Sequence, residues 1–209
     1  MKQLYIKIVL IILILGTLIM IFGCNNTARI LTLTPTSYTP GINTASTKSG
    51  NNLLLSLTLD AAAYQTGQKV KIVADEKNLL SKKNNVIVSN KWPLDGLILG
   101  PCDNPDYPFR IGVFQGYYLT SNLSTVVPLN LYDPNIVYSC LPIIAPKGYL
   151  FQPLSNIANL TKLNYQITLN GYWPNGSLSK LTSFEPGVYT VVAGDEWGAL
   201  VVLHFTVTQ

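Results

Sequence analysis

Charge is scarce in this chain: Asp, Glu, Lys and Arg make up 11% of its 209 residues, against roughly a quarter in an ordinary soluble domain. His204 is the only histidine, there are three cysteines, and the two methionines, Met1 and Met20, both lie near the start. These shortages exclude several chemistries. A zinc site needs four converging Cys or His ligands, and a blue-copper site needs two histidines beside a cysteine. A polyanion surface needs a basic excess, yet the net charge of +4 falls to +2 once Lys2 and Lys7 are set aside. The nearest approach to a basic cluster, Lys69, Lys71, Lys77, Lys82 and Lys83, is interrupted by Asp75 and Glu76 and reads as a solvated face. Neither a cofactor nor a nucleic-acid partner is expected.

Catalytic groupings are missing as well. A Ser-His-Asp triad would have to use His204, which falls in the middle of a strand pattern with its side chain outward and no nucleophile elbow anywhere. Asp195 and Glu196 sit together at one hairpin tip, whereas glycoside hydrolysis needs two carboxylates facing each other across a cleft. Asp103, Asn104 and Asp106 offer too few oxygen ligands for calcium. Both acidic groups are expected to be solvated turn residues. The sequence assigns no catalytic and no metal-binding residue, and an enzyme is not expected.

What the chain does have begins at its first residues. Lys2 and Lys7 precede an apolar run over residues 8–22 that ends in Gly23-Cys24. A helix over residues 4–24 would be about 31 Å long, close to the thickness of a hydrocarbon core. The flanking lysines predict a cytoplasmic N-terminus and an extracellular remainder. Three fates fit: a retained signal-anchor, a cleaved signal peptide, or a lipoprotein in which Cys24 is lipidated, since Ile21-Phe22-Gly23-Cys24 resembles a bacterial-type lipobox. Each puts the rest of the chain outside the cell membrane. Residues 25–52 are rich in Thr, Ser, Asn, Gly and Pro and read as a flexible linker, with an arm packed on the domain as the alternative. Residues 53–209 suit one domain.

With Cys24 at the membrane end, Cys102 and Cys140 remain in a chain expected to fold outside, and they are expected to form a disulfide. It would close a loop of about 38 residues, for which chain entropy gives roughly 4 kcal/mol. Four tripeptides match the glycosylation acceptor pattern, at Asn25, Asn122, Asn159 and Asn175. Used, they would be exposed loops.

From Leu53 onward, short runs of apolar and β-branched residues are split by Gly, Pro, Asn and Asp, and no stretch keeps a helical period for three turns. The chain is predicted to be all-β. Strands are expected over residues 53–59, 69–75, 85–89, 96–99, 109–118, 128–132, 149–153, 164–173, 187–193 and 199–208. Leu53, Leu55, Leu57 and Leu59 share one face of the first, and Val201, Leu203, Phe205 and Val207 share the inner face of the last.

Two stretches carry a resemblance. Phe184-Glu185-Pro186-Gly187-Val188-Tyr189 is similar to the corner before the penultimate strand of immunoglobulin-like sandwiches, with Tyr189 placed as a corner tyrosine. Tyr64-Gln65-Thr66-Gly67-Gln68 resembles the connection between their first two strands. The chain is similar to archaeal membrane-anchored ectodomains of this kind, which implies an immunoglobulin-like antiparallel β-sandwich and implies nothing about chemistry; its middle segment, Pro93 to Lys162, departs from that pattern in being enlarged and in carrying the cysteine pair.

That middle segment is dense in aromatic residues, which suit interfaces and sugar faces when they are not core. Trp92, Tyr117, Tyr118, Tyr172 and Trp173 are the candidates for a binding surface. The expected function is a membrane-tethered extracellular binding domain whose partner is an envelope protein or a surface glycan. The alternative is a subunit of a surface filament or lattice assembled by strand exchange through residues 25–52, and a secreted hydrolase is the residual reading.

Overall fold

Alternation along each strand decides which face turns inward. In the computed structural model of the chain, the described residues are 43–94, 97, 107–136, 139, 148–154, 165–174 and 180–209. They build ten strands. One sheet has the order β1-β2-β4-β8, from β1 (Thr44–Ser49), β2 (Leu53–Leu59), β4 (Val70–Asn78) and β8 (Tyr165–Leu169), every pair antiparallel. The other has the order β3-β10-β9-β6, from β3 (Ala63–Gln65), β10 (Leu200–Thr208), β9 (Gly187–Asp195) and β6 (Phe109–Gln115). β3 runs parallel to β10 and the remaining pairs are antiparallel. A small third sheet joins β5 (Asn84–Val86) to β7 (Tyr149–Phe151).

The two large sheets share one core. Leu55, Leu57, Leu59, Ile72 and Ala74 from the first meet Val113, Val191, Leu203 and Phe205 from the second, and all are buried. Fully burying one such aliphatic or aromatic side chain contributes about 1.5–3 kcal/mol. An aromatic hub closes one part of this core: Phe205 stacks on Tyr189 at 5.0 Å and meets Tyr64 and Phe184 edge-on at 5.4 and 5.6 Å. The chain passes from one sheet to the other at residues 60–62. Asp60 fixes this crossing, since its Oδ1 accepts from the Tyr64 hydroxyl and from the Lys71 N–H.

The expected strand of residues 53–59 is β2 itself, and the inward leucines and the inward Val201, Leu203, Phe205 and Val207 are buried as the pattern requires. Two strands were not expected. β3 is three residues long, too short to show a period. β1 lies inside the stretch read as a linker, whose end at residue 52 therefore needs correcting. Its Ala45, Thr47 and Ser49 sit half-buried opposite Leu57, Leu55 and Leu53, so six paired residues compensate for a nearly apolar-free composition. Asn51 and Asn52, both with φ near +60°, make the tight turn into β2, a conformation asparagine tolerates better than most side chains. Residues 128–132 add only an isolated bridge, Asn130 to Trp173, in place of a strand. Of residues 96–99 only Leu97 is described, and it lies outside any strand.

β6 and β9 are covered on both faces. Beyond the main core, Leu97, Phe114, Leu123 and Val192 form a second buried cluster on the far side of the β6–β9–β10 sheet, with Tyr118, Val126 and Val202 packed against it. The middle segment thus roofs the sheet. Gly112 makes the close approach possible, because a Cβ there would fall 2.3 Å from Leu97 Cδ2.

No helix among the described residues is long and apolar enough to cross a membrane. The run over residues 8–22, Cys24, Cys102, Cys140, Asn25, Asn159, Asn175, Asp103, Asn104 and Asp106 all lie outside the described residues.

Candidate functional site

β6 is the edge strand of its sheet, and on its open side residues 126–132 run past it. The Leu129 N–H donates to the Val113 carbonyl at 2.7 Å, a single ladder-like bond that pins the passing segment. Side chains on either side of this bond stay apart and leave a cavity of about 600 Å³, within the range of small-molecule sites, roughly 300–1,000 Å³. Pro93, Leu94, Phe114, Leu123 and Val126 line one part, and Ile111, Leu129 and Leu131 line another. Ser124 and Val127 are exposed members of the wall, with Val127 76% exposed, so the space opens to solvent there. Ser124, Asn130 and Tyr132 contribute polar side chains, and none of the lining residues is charged.

None of the five nominated aromatics lines this cavity, though Trp92 and Trp173 adjoin residues that do. Trp92 directly precedes Pro93 and Leu94 of the wall, and the Arg110 guanidinium lies 4.2 Å from its ring centroid, a cation–π contact beside Ile111. Trp173 is bridged to Asn130, whose carbonyl accepts the Trp173 N–H at 2.8 Å. The other three do not join them. Tyr172 packs on Phe184 at 6.0 Å against the main core. Tyr118 meets Phe114 edge-on at 6.4 Å as part of the roof. Tyr117 stacks on His204 at 4.1 Å. Tyr117 and Tyr118 follow the end of β6, so neither is a strand residue and both are half-buried.

His204 is correspondingly not a solvated strand residue. Its Nε2 lies 2.9 Å from the Tyr118 carbonyl. Burial pulls its pKa below the ordinary histidine value, partly offset by that hydrogen bond.

The acidic residues need a larger correction. Asp195 and Glu196 are buried, as is Glu76, which projects from the inner face of β4 opposite Leu55. Asp195 Oδ1 accepts the Trp197 and Ala199 N–H groups at 3.0 and 2.7 Å, and its Oδ2 accepts the Ser49 hydroxyl, tying β1 to the β9–β10 turn. Among the described residues, neither carboxylate oxygen of Glu76 has a hydrogen-bond partner, and Oε1 of Glu196 has none. Burial, then the charges of Asp195, Asp75 and Glu196, push the Glu76 carboxyl well above its ordinary value. Burial and Asp195 push Glu196 up to about 7, with Arg110 opposing. A raised carboxyl is a functional signature when it lines a cleft, but Glu76 is only 1% exposed. Among the described residues no group of three or more His, Cys, Asp or Glu side chains is arranged to hold a metal ion.

Asn122 is the described sequon and is exposed, in a turn where its Oδ1 accepts the Leu119 N–H at 2.8 Å. The next two residues, Leu123 and Ser124, line the cavity. Sequence reasoning missed the cavity residues themselves. The signal available was the continuous apolar stretch Ile111-Gly112-Val113-Phe114, which marks a strand covered on both faces and hence a second layer over it.

Comparison with models of protein families, with curated proteins and with solved structures finds no match to this chain.

Proposed function

We propose that the chain is a membrane-tethered extracellular binding domain without catalytic activity, and that it binds through the cavity beside β6. The cavity carries this reading: it is open, larger than a packing defect, and built by the middle segment that Trp92 and Trp173 flank.

An immunoglobulin-like sandwich is the finer reading of the fold. Three features support it: the sheet order β1-β2-β4-β8 facing β3-β10-β9-β6, the parallel pairing of the early β3 with the last strand, and the Tyr189 hydroxyl bonded to the Glu185 carbonyl four residues upstream at 3.0 Å. Tethering rests on Lys2, Lys7 and the apolar run over residues 8–22, with Cys24 as a second route through lipidation. A disulfide between Cys102 and Cys140 would brace the middle segment. Strand exchange is less well supported, because β1 already pairs along six residues with β2 of its own chain. Of the two expected partners, the uncharged and mainly apolar lining favours an envelope protein over a glycan.

The intact mass of the mature protein from its own membranes tests the tether. A mass beginning at Met1, or a lipid on Cys24, is expected; an unmodified start near Asn25 sinks it. A photo-crosslinking residue in place of the exposed Val127 tests the site, and adducts indistinguishable from those of the same residue at Thr44 would sink that.

A further inference from the structure

The lining of the cavity beside β6 belongs to two separate hydrophobic clusters. Phe114, Leu123 and Val126 are part of the roof over the outer face of the sheet, while Ile111, Leu129 and Leu131 belong to or pack against the main core on its inner face. The space therefore passes around the edge of β6 from one face to the other, and side chains on opposite faces of a strand point in opposite directions. That makes it a slot and not a round bowl. Its strand edge is not open for a partner strand, because Leu129 already occupies the Val113 carbonyl. A partner thus has to enter as a thin body through the side where Ser124 and Val127 are exposed.

Charge decides the chemistry further. With no charged group in the lining, a bound carboxylate, phosphate or ammonium would lose its hydration without a counter-charge, a cost of several kcal/mol or more. Hydrogen bonding is also limited. The Asn130 carbonyl accepts from Trp173 and its Oδ1 accepts from the Tyr132 N–H at 3.1 Å, which leaves its Nδ2 as a donor, and the Ser124 and Tyr132 hydroxyls are the other polar side-chain groups. A ligand with only a few oxygen atoms would saturate them.

We propose that the slot around the edge of β6 binds a neutral lipid chain, acyl or isoprenoid, that carries an alcohol, ether or ester oxygen for Ser124 or Asn130. This rests on the binding-domain reading above and names the ligand class of the same site. The chain lies past Phe114 and Leu123 at one end and Ile111 and Leu131 at the other, and covers Val127.

The test uses the full-length protein reconstituted in lipid nanodiscs, with empty nanodiscs as the blank, N-phenyl-1-naphthylamine as a neutral fluorescent probe and 1-dodecanol as competitor. Saturable one-to-one binding, displaced by dodecanol, is expected, weakened roughly tenfold by Val127→Asp, which sets a charge at the mouth, and by Val126→Trp, which fills the slot. The Val127 substitution is on an exposed residue, so it separates loss of the site from loss of the fold. Absence of saturable binding, or binding that both variants leave unchanged at matched melting temperatures, overturns the proposal. The ligand class and the reading beneath it fail differently. Wild-type protein that binds no probe but still gives Val127-specific crosslinks on its own envelopes overturns the lipid chain alone, and loss of both overturns both.

Discussion

The Tyr189 hydroxyl donates to the carbonyl of Glu185 at 3.0 Å, across the Pro186-Gly187 turn that leads into β9. The ring beneath it is fully buried and stacked on Phe205, so one side chain fixes both the corner and the core. Burial pushes its phenol up to about 12, the Glu185 bond opposing. Tyr189→Phe keeps the ring and deletes the bond. A loss of about 0.5–1.5 kcal/mol in urea unfolding is expected, with an unchanged slope; no loss would mean the corner is not held by the hydroxyl.

Stability should fall as pH rises. Glu76 and Glu196 have folded-state pKa values raised above the ordinary 4.5, Glu196 to about 7. Between the unfolded and folded values the native state binds more protons than the unfolded chain, so stability present below about pH 4.5 is lost as pH climbs through 7 and beyond. His204, with a lowered pKa, acts in the opposite sense: its contribution is present above about 6.5 and fades as pH falls through the depressed value. Melting temperature at pH 5 should exceed that at pH 8. Glu76→Gln should flatten the difference, and Glu76→Leu, which replaces two unpartnered oxygens by apolar volume, should add about 1–3 kcal/mol at pH 8. A melting temperature that climbs from pH 5 to 8 in the parent protein would refute this.

Asp195→Ala removes the acceptor of the Trp197 and Ala199 N–H groups and of the Ser49 hydroxyl. The expected cost is about 1–3 kcal/mol. Ser49→Ala should cost less and should cost almost nothing when Asp195 is already Ala, a coupling that a double-mutant cycle measures directly. Independent, additive effects would show that β1 is not held to the β9–β10 turn by this contact.

Gly112→Ala forces Leu97 out of its seat, because the new Cβ would lie 2.3 Å from Leu97 Cδ2. Overpacking of this kind costs about 1–3 kcal/mol. Hydrogen exchange should rise across residues 117–126 while the β2–β4 pair keeps its protection. Uniform loss of protection would mean that the roof and the main core unfold as one unit.

Much of the all-β architecture was legible because alternation is local. Leu53, Leu55, Leu57 and Leu59 could face only one way on a strand, and so could Val201, Leu203, Phe205 and Val207. β1 was hidden because Thr, Ser and Ala bury little, and its strand exists through backbone pairing with β2. Glu76, Asp195 and Glu196 misled for a different reason: a carboxylate in a sequence reads as solvated, and only the approach of the β9–β10 turn to the inner face of β4 buries them. Of the nominated aromatics, Trp92 and Trp173 stand beside the cavity and Tyr118 and Tyr172 fill packing, a division that adjacency in sequence could not make.

By itself the sequence determined the all-β character and the inward faces of β2 and β10, since these depend on residue type and a period of two. The tertiary structure alone decided the roof over β6 and β9, the buried acidic end and the slot at the β6 edge. Each of these is a meeting of segments far apart in the chain, such as Leu97 on Gly112 or Leu129 on Val113, and no local pattern encodes which distant side chain will be the neighbour.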